Sequence, residues 1–190
     1  MSVMNEEILK AAKVVLDGGV ILYPTETIAG LGCDARNEEA ISKIFEIKKR
    51  PKSKSILSLF SSEAMILRHF KEIPDAAWDI LDMATKPTTL ILDNAVGLAP
   101  SAMAPDGSAA IRWVKSGLVH QLIEKVNVPL TSTSVNLSGE EAVLTTAQAP
   151  SFIKDQVDFI LSEQQGESGT GIPSSIIRIK PGGEFQIIRK

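Results

Sequence analysis

Short β-prone runs, each ended by a proline, a glycine or a polar turn, are spread along the whole chain between stretches of helical periodicity, without a strict alternation of the two. "VILYP" comes first, followed by "SILSLF", "TTLILD", "AAIRW", "VPLTSTSV", "VDFILS", "SSIIRI" and "EFQIIRK". Helical spacing is carried by Ile8, Leu9, Ala12, Val15 and Leu16, with Gly18 and Gly19 as a stop. It returns in Ile41, Ile44, Phe45 and Lys48 after an Asn37 cap, with Pro51 close behind. Further helices are expected at about 62–70, 75–84, 117–126 and 146–154. A doubly wound parallel sheet needs a helix at every crossover. This irregular order instead predicts an α/β fold: a mixed twisted sheet with helices packed on it. "TETIAGLGCDA", after the first strand, reads as a loop whose glycines let it pack close to a neighbour.

At 190 residues the chain suits one domain, 1–190, long enough to bury about 70% of its unfolded surface. No apolar run approaches the roughly 18 residues of a membrane span, and the N-terminus lacks the basic and apolar regions of a signal peptide. The expectation is a cytoplasmic protein with no membrane contact. A single cysteine, Cys33, excludes an internal disulfide and a multi-cysteine zinc site, and reads as a buried small residue. His69 and His120 stand apart among apolar neighbours, poor material for a metal cage or a Cys-His dyad. The chain has no GxxxxGK[ST] loop, and "GTGIPS" fails GxGxxG after its second glycine. "SFIK" matches SxxK by chance, without the partner motifs.

Charge is distributed unevenly. "KIFEIKKRPKSKS" (43–55) holds six basic side chains and one acid; removing it from totals of 20 Lys plus Arg and 23 Asp plus Glu leaves 14 against 22. Local positive charge on an acidic chain favours a small anionic ligand over a long polyanion. Cations near a helix C-terminus are favoured for their own sake, which accounts for two lysines but not for six charges. Three strand-adjacent segments, "YPTET", "TSTSVNLSG" and "TGIPSS", add hydroxyls and an amide. Such groups give directional hydrogen bonds where Lys and Arg give charge, the combination that phosphates and carboxylates require.

In this order, "YPTET…GLGCDA", "IKKRPKSK", "AAIRW", "TSVNLSG" and "IPSSII" resemble the YrdC-like threonylcarbamoyl-AMP synthase family over nearly the whole chain. The most specific elements are the K-x-R of Lys48 and Arg50 and the S-x-N of Ser134 and Asn136. The resemblance implies a single YrdC-like domain with a basic ligand cavity. It implies that L-threonine, bicarbonate or CO2 and ATP give threonylcarbamoyl-adenylate and pyrophosphate, the first step towards threonylcarbamoyladenosine in tRNA. Lys48 and Arg50 would clamp phosphates, Lys54 would add charge, and Ser134 and Asn136 would donate to nucleotide or carbamate oxygens. Thr25, Thr27, Arg112 and Ser174 would face threonine, with Arg112 on its carboxylate. Arg189, Thr89 and Thr145 would make further nucleotide contacts. Mg2+ would ride on the triphosphate. No side chain stands out as general base, and an α-amine that loses its proton at about pH 8 needs none.

The resemblance further implies the single-domain form, which hands its product to tRNA-modifying transferase machinery through transient contact. Departures are also visible. Ala29 stands where the family has an aromatic, which removes a wall of the threonine pocket. "IRWVKSG" replaces an R-x-P turn, "TKPTT" a P-G-P, and "PSS" a Pro-Ser-Thr. Two other readings remain open here. One is an RNA-binding module with a vestigial nucleotide pocket, disfavoured by one Tyr and two Trp. The other is a diverged ATP-dependent enzyme with another substrate.

Overall fold

In the computed structural model, which describes residues 3–49, 56–136, 142–163 and 169–190, helix α1 (Val3–Leu16) stops where Gly18 takes a positive φ of 84°. That is a conformation only glycine adopts at no steric cost. Strand β1 (Ile21–Tyr23) follows, then β2 (Gly30–Gly32) and helix α2 (Glu38–Ile47). The Asn37 side chain caps α2 by accepting from Ala40 N at 3.1 Å. Next come β3 (Leu57–Phe60), α3 (Glu63–His69), α4 (Asp75–Met83), β4 (Thr88–Leu92), β5 (Ala109–Trp113), α5 (Gly117–Val126) and β6 (Leu130–Ser134). A short α6 (Ser151–Lys154), β7 (Phe159–Ile160), β8 (Ser175–Ile179) and β9 (Phe185–Arg189) complete the described elements, with single 3-10 turns at Pro100–Ala102 and Thr146–Gln148.

The strands lie in one nine-stranded mixed sheet, in the order β7-β1-β2-β6-β3-β5-β4-β8-β9. The pairs β1/β7, β3/β5 and β4/β8 are parallel and the other neighbours antiparallel. The mixed twisted sheet expected from the order of elements is the one observed. Helix α1 packs against α5, and both touch the sheet. Strand alternation sends Ile111 and its partner Leu90, both fully buried, to one face, while Ala110 and Arg112 point to the other.

Two local expectations are corrected. Residues 30–32 form a strand, where the glycines suggested a loop. Glycine is a poor strand former, but here its missing side chain is the reason the strand exists. The Tyr23 ring lies over Gly30 and Gly32, and a Cβ on Gly32 would run into the Thr131 carbonyl oxygen. The helix expected at 146–154 is split into the 3-10 turn and α6. Pro150 lacks an amide hydrogen and pushes Ala149 into an extended conformation (φ −58°, ψ 139°), which interrupts the helix.

Gly32→Val should therefore cost about 3 kcal/mol through overpacking. For a domain of this size that lowers Tm by roughly 6–12 °C, measurable by thermal denaturation followed by circular dichroism. A variant as stable as the wild type would show that β2 can move away from β6.

Candidate functional site

The face of the sheet that carries Arg112 opens into a cavity of about 440 Å³. One wall is the loop after β1. There the Thr25 hydroxyl donates to Ile28 O at 2.6 Å, lies 3.0 Å from the Thr27 hydroxyl and accepts from the amides of Thr27 and Ile28. This local turn fixes Thr25 and Thr27 by their own backbone. The opposite wall comes from the far side of the sheet. The Thr89 and Ser174 hydroxyls are 2.9 Å apart, and the Arg189 guanidinium donates to Ser174 O through Nε (3.0 Å) and Nη2 (2.8 Å). Parallel pairing of β4 with β8 sets Thr89 opposite Ile176, and a register shift between Ile176 and Ile177 lets β9 bring Arg189 to the cavity. Ser134, at the end of β6, supplies a further hydroxyl. Ala29, Gly30 and Ala110 keep the floor low.

Arg112 is a buried cation of the site, 7% exposed. Its nearest carboxylate, Glu26, is 3.9 Å away on the exposed side, and Nε has no hydrogen-bond partner among the described residues. Burial pushes its pKa down, Glu26 pulls it back up, and nearby Arg189 adds to the lowering. An arginine still stays charged. A buried guanidinium left this short of partners is poised for an anion.

Lys48 closes α2 as its C-cap and is buried. Its ammonium donates to the Ser134 carbonyl and lies 3.4 Å from the Ser134 hydroxyl, which in turn donates to Asn136 Oδ1. The two motifs that are most distant in sequence thus meet in space. Arg50 and Lys54 lie outside the described residues. Thr25, Thr27, Thr89, Arg112, Ser134, Ser174 and Arg189 all line the cavity. Thr145 does not: its hydroxyl accepts from Gln148 N in a capping box on the 3-10 turn. Sequence reasoning missed Ala110, Ile91 and Ile176, small or apolar wall residues whose only signal is strand alternation next to polar neighbours.

Other reactive groups are occupied structurally. Burial pushes the Cys33 thiol up to about 12, and the thiol packs against the Thr131 hydroxyl. His69 Nδ1 lies 3.0 Å from Val96 O, its ring stands edge-on to Phe60, and burial lowers its pKa.

The fold and site define an α/β domain with a mixed sheet, one cavity of which presents guanidinium groups and hydroxyls, the donors that oxyanions require. The domain family described as "Telomere recombination" (Sua5/YciO/YrdC) matches residues 13–190, and the chain belongs to it. It is 34% identical to the threonylcarbamoyl-AMP synthase of Marinobacter nauticus, over 93% of each chain. It is 32% identical to that of Idiomarina loihiensis, over 88% of this chain and 91% of the relative. Sua5 of P. abyssi, solved in complex with L-threonine, superposes with a TM-score of 0.83 at 26% identity over 90% of this chain. The chain spans only half of that protein. E. coli YciO shares the fold, with a TM-score of 0.80 at 21% identity over 97% of this chain and 89% of that one.

Replacing an underpaired buried charge by an apolar side chain of similar volume often stabilises a protein, by about 1–4 kcal/mol. Arg112→Met is accordingly expected to match or exceed the wild-type Tm in a thermal melt. A lower Tm would mean that the guanidinium is better paired than its 3.9 Å contact with Glu26 implies.

Proposed function

We propose that this chain is an L-threonylcarbamoyladenylate synthase, a nucleotidyltransferase acting as one domain over residues 1–190. The reaction joins L-threonine, bicarbonate and ATP into threonylcarbamoyl-AMP, with release of pyrophosphate and water. The observation that carries this reading is the convergence of Arg112, Arg189 and five hydroxyls, those of Thr25, Thr27, Thr89, Ser134 and Ser174, on one cavity. Kinship with relatives that bear the synthase name favours it over an RNA-binding module or a diverged ATP-dependent enzyme.

In this reading Arg112 takes the threonine carboxylate, and Thr25, Thr27 and Ser174 shape the pocket around its side chain. The Thr25–Thr27 contact on one wall and the Thr89–Ser174 contact on the other hold these hydroxyls in place before substrate arrives, so little ordering is left for binding to supply. Lys48, Arg50 and Lys54 neutralise the triphosphate, while Ser134 and Asn136 direct hydrogen bonds at the oxygens of the reacting groups. Thr89 and Arg189 extend the nucleotide contacts. Mg2+ would be held by phosphate oxygens and water, since among the described residues the cavity wall contributes hydroxyls and guanidinium groups rather than carboxylates. The acyl adenylate would pass to tRNA-modifying transferase machinery.

Pyrophosphate release by the purified protein tests this. Release should require both L-threonine and bicarbonate. Lys48→Ala and Ser134→Ala should each lower kcat by about 10²-fold or more, the usual cost of losing a donor aimed at developing charge. Release that proceeds without threonine would overturn the reading.

A further inference from the structure

The Arg112 guanidinium belongs to the lining of more than one cavity. On the other side of that guanidinium lies a second hollow of about 340 Å³, which shares Thr25 and Arg112 with the first. Its floor is apolar and buried: Leu59, the β-strand partner of Arg112, with Val114, Leu118 and Val119. Its rim is exposed and polar, made by Glu26, Ser116, Gly117 and Thr170. The rim on one side is the N-terminus of the ten-residue helix α5, and its N-cap, Ser116, makes no side-chain capping bond. First-turn amides of a helix have no intrahelical acceptor and carry a partial positive charge. The second cationic element is independent of the helix. It is the Arg112 side chain, nine-tenths buried, whose guanidinium lies 3.9 Å from its carboxylate neighbour Glu26.

We propose that this second hollow holds bicarbonate, between the Arg112 guanidinium and the first-turn amides of α5, and gives it a way to the site separate from that of ATP. The proposal rests on the synthase reading above and locates its smallest substrate. ATP and threonine together occupy the larger cavity, so inorganic carbon that had to pass through the same mouth would be shut out once both were bound. A hollow that meets the larger cavity at Arg112 delivers the anion beside the threonine amine. There the amine nitrogen bonds to the carbonate carbon, the C–OH bond breaks, and hydroxide leaves with the amine proton as water, giving the carbamate. Glu26 on the rim discourages larger polyanions, and the apolar floor offers no hold to a phosphate chain.

Ser116→Glu places a carboxylate on the α5 amides. Negative charge at this position stabilises a helix, so the variant is expected to fold. Its KM for bicarbonate should rise roughly tenfold or more while that for ATP stays within about twofold, and Ser116→Gln should restore the wild-type value. Val119→Trp, which fills the floor, should act in the same direction. Nitrate, planar and singly charged, should compete with bicarbonate and not with ATP. A direct measurement separates this proposal from the synthase reading: line broadening of 13C-bicarbonate by the protein without ATP or threonine. Broadening lost in Ser116→Glu and kept in Ser116→Gln supports the hollow even if no pyrophosphate is made, an outcome that would sink the synthase reading alone. Broadening and bicarbonate KM unchanged in Ser116→Glu would overturn the proposal.

Discussion

Everything in the site hangs on the close approach of β2 to β6 beneath the Tyr23 ring. Tyr23 donates its hydroxyl to Thr131 O at 2.8 Å, and its ring covers Gly30 and Gly32, so three strands are pinned by one side chain. Burial raises the Tyr23 pKa far above its ordinary value, so the hydroxyl stays a donor at any pH the fold meets. Because β1 cannot slide past β2, the residues after Tyr23 must turn at a fixed place. Thr25 and Thr27 then face the cavity, and β6 runs on to deliver Ser134. Side chains on Gly30 or Gly32 would separate these strands and disperse the hydroxyls.

The cavity exchanges stability for readiness. Arg112 forgoes hydration and receives one distant carboxylate in return. The cost is borne by a well-packed sheet in which Ile111 and Leu90, on the opposite face, are wholly buried. Elsewhere the polar groups satisfy one another: Thr89 with Ser174, Ser174 with Arg189, and Lys48 with Ser134 and Asn136. Such networks hold donors still, and in a site of low dielectric a fixed donor acts more strongly on developing charge than a mobile one. Arg112, which lines both hollows, is among the under-satisfied groups of the described residues.

Much of this was legible in the chain. The α2 cap at Asn37, the limits of β5 and α5, and the mixed order of the sheet follow from local propensity and periodicity. The strand at Gly30–Gly32 was not legible, because its cause is the partner surface and not its own residues. Pro150 was visible and marks a boundary inside the helix expected at 146–154; the apolar periodicity around it hid the break. In the site, polar residues announced themselves, and Thr25, Arg112, Ser174 and Arg189 do line one cavity. What sequence could not reveal was direction: Thr145, equally polar, spends its hydroxyl on a helical turn. The second hollow was hidden as well, since Leu59, Val114 and Val119 look like any core residues until the sheet aligns them beside a helix start.

The pairing of β4 with β8 joins segments more than eighty residues apart, and the Thr89–Ser174 contact spans 85 positions. During synthesis on the ribosome, β3, β5, β6 and β4 can assemble first, but one wall of the cavity is missing until residues 174–189 emerge. Pairings this distant in sequence form late and slowly. The nascent chain therefore carries its buried arginine before the cavity around it has both of its walls.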